Sequence, residues 1–496
     1  METLSKTSHD QLHIKDHSRF PYFPPQNNAP SLLLLQNFYS LALLVIVVYF
    51  MGTLLLSTLQ KWSPSNVVHI LLASCLIIFV LIKLRFAKYS YPVYLVDFAC
   101  LKPPSFCRVP FSTFLENASM FQSYESESLT FMDKILSSSG QSEETYLPPA
   151  LHYIPPITHH QESIKEVHMV LFPIMDDLFT KTKLSPSNID ILIVNCSGFC
   201  STPSLSSIVI KKYAMKCDIK SFNLSGMGCS ASAIGIDLAK NLLRVHKDSY
   251  AIVLSTEILS PGWYSGQDRS KLAINCLFRM GSTAILLTNK KQAKKNSKYQ
   301  LVRTLRTQRA FEDKAYLSAI REEDSKGNLG VTLKRDLLQV AGETLRSNVT
   351  VLGSSLLPFK EKFRHVVSVV RKRFFDKSCE IYVPDFKTVI QHFCLPASGL
   401  SVIKEIAKGL KLEKRDMEPA LMTLHRFGNQ SSSSLWYELA YLEAKNRVEK
   451  GDMVWLLGMG TGPKCNSVVL KCIRPDAVKE SKISPWADCI HRYPIL

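Results

Sequence analysis

One cysteine in this chain stands where a reactive thiol would be built. In Phe222-Asn223-Leu224-Ser225-Gly226-Met227-Gly228-Cys229-Ser230-Ala231-Ser232, a short strand runs through a glycine-punctuated turn into a helix that opens on Cys229. Free N–H groups and the positive end of the helix dipole favour thiolate over thiol there, which lowers the pKa from ~8.5 and yields a nucleophile near neutral pH. Gly226 and Gly228 permit the tight turn and leave room for a bulky thioester. The same spot also suits a small buried residue, and the pattern alone leaves the two readings even.

Other segments could serve such a nucleophile. Asn429, after Gly428 in HRFGN, offers an amide donor, although Asn after Gly also reads as turn chemistry. His392 and His425 could move protons, and a satisfied structural histidine is the plainer reading of each. Gly458-Met459-Gly460-Thr461-Gly462 follows a strand without the spacing of a dinucleotide fingerprint, and is expected to line the site beside Cys229 as a tight turn. Ser431 to Ser434 are expected to cap a helix. Cys196 and Cys200 have no second pair with which to complete a metal site.

Elements able to position these groups follow from the apolar pattern. Ile189–Asn195, Tyr250–Ser255, Thr283–Thr288, Glu380–Val383 and Met453–Leu457 read as strands, with helices at Val402–Leu410 and Trp436–Val448. The helix after Cys229 carries Ile234, Leu238, Leu242 and Val245 as a core-facing stripe. Strand-like runs alternating with amphipathic segments predict an α/β body with parallel strands from residue 91 to about Arg474.

Ahead of that body, Phe20 to Gln60 holds no Asp, Glu, Lys or Arg, and Leu41–Leu59 has the length and apolarity of a membrane span. A second run, Val67–Ile82, is about 16 residues against the ~17–25 expected, and the tight turn around Lys61, Trp62 and Pro64 argues for a hairpin. Lys6, Lys15 and Arg19 before it, and Lys83, Arg85 and Lys88 after it, place both ends in the cytosol. The net charge of +18 favours anionic partners, and without any nucleic-acid-binding signature a membrane face or phosphorylated cofactor is preferred over nucleic acid. The 13 scattered cysteines fit a reducing compartment.

The nucleophile segment resembles that of the plant 3-ketoacyl-CoA synthases, condensing proteins related to chalcone synthases. The likeness continues through YPVYLVDFACLKP, SEETYLPPAL, NCSGFC, VLSTEILS, NCLFRMGSTAILLTN, HRFGNQSSSSLWYELAY and GDMVWLLGMGTGPKCNS. It implies a thiolase-like, duplicated αβαβα body: a cytosolic tail over 1–30, two transmembrane helices over 31–90, an N-terminal half over 91–340, a C-terminal half over 341–475, and a tail over 476–496.

The resemblance also implies chemistry. Cys229 would take an acyl group from long-chain acyl-CoA, malonyl-CoA would lose CO2, and the carbanion would attack the acyl-enzyme to give 3-ketoacyl-CoA, with no cofactor beyond the CoA thioesters. The family's asparagine donor is matched by Asn429. Its histidine, in a motif resembling HFCIHAGG, is replaced by Pro396, which offers neither donor nor base. A further family histidine is Gln308. The expected function is therefore very-long-chain fatty acid elongation at the endoplasmic reticulum, as a homodimer with other elongase subunits. The alternative is a catalytically impaired member that regulates active subunits.

Overall fold

The computed structural model describes Tyr49, Val68 and residues 71–79, 92–121, 123–474 and 483–495. The expected spans fall mostly outside these residues. Among the described residues no helix is long and apolar enough to cross a membrane. Residues 71–79 are helical, with Leu72, Leu76 and Ile77 exposed. By internal contacts the chain divides into two units, Met1–Ser90 and Tyr91–Leu496.

The second unit is built on one mixed sheet of nine strands. Its first half comprises β1 (Val93–Cys100), β2 (Ile191–Asn195), β3 (Lys220–Leu224), β4 (Tyr250–Thr256) and β5 (Ser282–Thr288). The helices of this half are α1 (Phe111–Met120), α2 (Ser126–Ser138), α3 (His160–Thr182), α4 (Leu205–Tyr213), α5 (Ala231–Val245) and α6 (Arg269–Leu277).

Next come β6 (Tyr299–Gln308), the short helix α7 (Asp313–Tyr316), and a separate hairpin of β7 (Ala319–Glu323) and β8 (Leu329–Leu333). The chain continues through α8 (Leu337–Leu356), α9 (Phe359–Phe374), β9 (His392–Cys394), α10 (Leu400–Leu410), α11 (Lys414–Phe427), α12 (Ser434–Ala444), β10 (Met453–Gly460) and β11 (Lys464–Cys472).

Strand order is β3-β2-β4-β5-β1-β6-β11-β10-β9. Within it, β2-β4-β5-β1 and β9-β10-β11-β6 share one order and one set of directions: a parallel pair followed by two antiparallel ones. The duplication is thus present in the topology, and the expected parallel strands are joined by antiparallel ones in a mixed sheet. By strand order the second half opens at Tyr299 rather than near residue 341, because its outer strand β6 pairs with its counterpart β1. Lys298 bolts this seam. It is 2% exposed, and its ammonium lies 2.8 Å from Asp97 and 3.0 Å from Glu443.

Helix α5 touches β2 and β4 of one half and β6, β10 and β11 of the other, so it occupies a middle layer. Its N-terminal turns are buried on every side and carry small residues: a Cβ on Gly235 would come within 2.7 Å of Val253. Its buried residues include Ile234, Ile236, Ala239 and Leu243, whereas Val245 of the expected stripe is exposed.

Two further expectations change. Glu380–Val383 is extended but joins no sheet, since the side chains of α9 hold it instead. The C-terminal segment docks rather than trails: Trp486 is fully buried among Phe427, Tyr441 and Tyr493 and donates its indole N–H to the Tyr437 carbonyl.

Candidate active site

Edge strand β3 delivers the chain to Gly226 (φ +66°) and Gly228 (φ +60°), left-handed positions suited to glycine. The Gly228 N–H donates to Ser197 Oγ at 2.9 Å. Cys229 follows in a single 3₁₀ turn at the N-terminus of α5, as the sequence suggested. The β10–β11 turn lies directly against it. A Cβ on Gly228 would come within 2.6 Å of the Thr461 nitrogen, and one on Gly460 within 2.4 Å of the Met227 carbonyl. Gly458–Gly462 therefore lines the nucleophile turn by backbone contact.

The thiol's immediate neighbour is one that sequence reasoning missed. Ser431 Oγ stands 3.3 Å from Cys229 Sγ and 3.2 Å from Glu257 Oε1. Ser431 adopts a left-handed φ of +56°, uncommon for serine and held in place by its surroundings. The following residues are bolted across the halves. Ser432 Oγ lies 2.6 Å from Ser255 Oγ and accepts from Asn195 Nδ2 at 3.0 Å, while Ser433 Oγ donates to the Ser255 carbonyl at 2.7 Å. Ser433 stands at the cap of α12 without making a side-chain cap bond there, which corrects the expected capping role.

Glu257 is held at the end of β4. Its Oε2 accepts the N–H groups of Ser197 and Gly198 at 2.9 and 3.0 Å. Burial pushes this carboxyl above the usual range. Burial also pushes the Cys229 thiol up to about 11, with the Ser431 hydrogen bond pulling it down and Glu257 pushing it further up. The expected fall in thiol pKa is thus reversed, because desolvation of a thiolate outweighs a helix-terminus effect worth ~0.3–1 kcal/mol. One serine hydrogen cannot serve both neighbours. As it stands the hydroxyl donates to the sulfur, and when it rotates to the carboxylate the thiol donates to Ser431 instead, a two-bond path that carries a proton from sulfur to carboxylate.

Asn429 is set just before that serine. Helix α11 ends at Gly428 (φ +72°), where a Cβ would lie 2.4 Å from Arg279 Cγ. The Asn429 carbonyl accepts the Arg279 N–H at 2.9 Å, and its side-chain Oδ1 accepts the Ser431 N–H at 2.8 Å. With Oδ1 so engaged, the amide NH2 is the end left to donate elsewhere. Arg279 itself is buried, donates Nε–H to Thr145 Oγ1 at 3.0 Å, and is lowered to about 10 by burial.

The structure does not gather the histidines here. His392 Nε2 lies 2.9 Å from Asp452 Oδ2, just before the start of β10, and burial lowers its pKa. It pairs in register with Val454, whereas the Cys229 turn packs against Gly458 and Gly460, four to six residues farther on and ~13–20 Å away along a strand. His425 is turned to the docked C-terminal segment, with Nδ1 3.3 Å from Tyr493 Oη. Pro396 is buried after β9, where the preceding Leu395 N–H donates to the fully buried Glu438. Gln308 ends β6 opposite Lys464 and is exposed. Cys196 is buried and Cys200 exposed, and among the described residues no cluster suited to a metal ion is present.

Two signals could have found Ser431 and Glu257. Ser431 lies two residues past the donor asparagine, and Glu257 is an acid placed at the end of an otherwise apolar strand.

Residues 85–374 match the family described as FAE1/Type III polyketide synthase-like protein, and residues 387–472 match 3-oxoacyl-[acyl-carrier-protein] synthase III C terminal. Among curated proteins, 3-ketoacyl-CoA synthase 6 of Arabidopsis thaliana is 47% identical over 88% of each chain. 3-Ketoacyl-CoA synthase 5 of the same plant is 48% identical over 87% of each. Among solved structures, a fungal type III polyketide synthase, ORAS, superposes with a TM-score of 0.61 at 15% identity, covering 77% of this chain and 99% of that one. The 1,3,6,8-tetrahydroxynaphthalene synthase of Streptomyces coelicolor gives 0.57 at 14% identity, covering 77% and 99%. At these identities the structural likeness establishes the shared thiolase-like fold.

Proposed function

This chain belongs to the FAE1/type III polyketide synthase-like family, and from that premise we propose that it is a 3-ketoacyl-CoA synthase condensing long-chain acyl-CoA with malonyl-CoA. The observation that carries the reading is the Ser431 contact that brings Cys229 of one half against the turn following Asn429 of the other.

The chemistry follows the geometry. Cys229 sulfur attacks the acyl-CoA carbonyl, its proton passing over Ser431 to Glu257, and CoA leaves as a thiolate that takes that proton from Glu257, which returns to the carboxylate. Malonyl-CoA then breaks its bond to the carboxylate, releasing CO2, and negative charge develops on the thioester oxygen. The Asn429 NH2 donates to that oxygen. The enolate carbon attacks the acyl-cysteine carbonyl, the C–S bond breaks, and 3-ketoacyl-CoA leaves with Cys229 regenerated. CoA thioesters are the substrates, with no further cofactor.

The uncharged stretches at 41–59 and 67–82 support a membrane hairpin with the catalytic body in the cytosol, and the reading places the protein in the endoplasmic reticulum as a homodimer among elongase subunits. Microsomal elongation with labelled malonyl-CoA tests the function. Product formation that disappears in Cys229→Ala is expected. Unchanged elongation in that variant would reject the assigned nucleophile.

A further inference from the structure

Helix α9 is amphipathic in the wrong sense for a helix packed on a globular body. Its polar side faces inward. Glu361 is buried and its Oε2 accepts from Tyr382 Oη at 2.8 Å and from the Asp385 N–H at 2.9 Å. One turn on, His365 Nδ1 donates to the Tyr382 carbonyl at 2.7 Å, and Ser368 Oγ accepts the Tyr382 N–H at 2.9 Å. These three residues are spaced by four and three, which places them on one face.

The opposite face carries Phe359, Phe363, Val366, Val367, Val370 and Phe374, again at steps of three and four, and all are exposed. Phe359 is 79% exposed and Phe374 72%. An apolar stripe normally turns to the core; here the core side is already occupied by hydrogen-bonded polar groups. At 100° per residue, Lys360, Arg364 and Arg371 border the stripe on one side and Lys362 and Arg373 on the other. The helix's single acid, Glu361, pairs with one of them, Arg364, at 3.6 Å, and that guanidinium also lies over the Tyr382 ring.

We propose that α9 lies in the plane of an anionic lipid surface, its phenylalanines and valines among the acyl chains and its lysines and arginines at the phosphates. Two rows of cations around an apolar stripe complement anionic headgroups, and their long stems let the charges stay at the interface while the stripe sinks below it. A second copy of the chain fits the same face poorly, since a twofold contact sets the patch against itself and brings cations to cations. The contact is separate from the N-terminal hairpin, and it would hold the body itself at the bilayer where long-chain thioesters dissolve.

The full chain in vesicles with and without phosphatidylserine, treated with a lipid-phase carbene reagent and mapped by peptide mass spectrometry, tests this. Label on α9 peptides is expected in the anionic vesicles, falling ~10-fold or more in Phe363→Asp/Val367→Asp, and in Lys362→Glu/Arg373→Glu. These side chains lie on the surface, and retained acylation of Cys229 verifies that each variant folds. An unlabelled α9 beside labelled 41–59 peptides overturns the proposal, as does equal labelling in neutral vesicles, or crosslinking of α9 to a second copy without lipid label. Labelled α9 beside unlabelled 41–59 peptides upholds it and rejects the hairpin instead. Label on neither sinks both.

Discussion

The Ser431 hydroxyl, from the second half of the fold, lies 3.3 Å from the Cys229 sulfur of the first. Beyond it, Glu257 Oε1 accepts at 3.2 Å. The site therefore joins the Cys229 thiol to a buried carboxylate through one hydroxyl, which gives the thiol's proton an exit.

Ser431→Ala removes that exit while leaving Cys229 in place. Acyl transfer from labelled acyl-CoA to Cys229 should slow by ~10²-fold, the lower range for general acid–base catalysis. Glu257→Gln should slow it similarly and abolish the rise in acylation rate as pH increases through the carboxyl's raised pKa, because only the carboxylate accepts the proton. Single-turnover acylation measured against pH reads both effects. A pH profile unchanged by Glu257→Gln would show that the proton leaves by another route.

Pro396 bears on the second step. A missing charge-stabilising donor typically costs ~10²–10³ in rate, so condensation should be the slow step, with labelled Cys229 accumulating ahead of 3-ketoacyl-CoA. Pro396→His should raise condensation by ~10-fold or more, only part of such a donor's worth. A parent that already condenses as fast as members with the histidine would mean that another group supplies the donor.

Gly228 and Gly460 hold the nucleophile turn and the β10–β11 turn in backbone contact. Gly228→Ala meets both a left-handed φ and the Thr461 nitrogen, and should destabilise the fold by ~1–3 kcal/mol. Its denaturant midpoint should fall together with its acylation rate. Loss of neither would show that the two turns separate freely.

At the seam between halves, Lys298→Met leaves the buried Glu443 and the half-buried Asp97 without their cation and should cost ~3–5 kcal/mol. Lys298→Met/Glu443→Gln should recover part of that loss, since it removes one of the stranded carboxylates. Chemical unfolding of the three proteins reads the difference.

Glu166 gives the fold a pH dependence of its own. It accepts the Leu259 and Ser260 N–H groups at 2.7 and 2.9 Å, yet burial pushes it up to about 7. An unfolded glutamate titrates near ~4.3, so the native state binds this proton more tightly. Its contribution to stability is full below that unfolded value and is lost as pH rises through the folded one. The melting temperature of the parent relative to Glu166→Gln should fall between about pH 4.5 and about pH 7.5. A flat difference over that window would show that the carboxyl is not shifted.

The sequence by itself determined the local features. Glycines at 226 and 228 with a cysteine at the following helix start specify the nucleophile turn, because left-handed backbone is a property of single residues. Apolar runs located β2, β4, β5 and β10, since burial on both faces leaves a continuous signature. Motif order identified the family, and only that resemblance marks Pro396 as standing where the family has a histidine. Only the tertiary structure decided what meets what. Ser431 reaches Cys229 across 202 positions because Asn195 and Ser255 anchor its turn, a pairing without any periodicity to betray it. His392 went to Asp452 because register along β9 and β10, rather than nearness to a motif, sets its depth. The thiol pKa is shifted up rather than down for the same reason: the helix terminus is encoded locally, whereas burial is the sum of everything the fold packs around the sulfur.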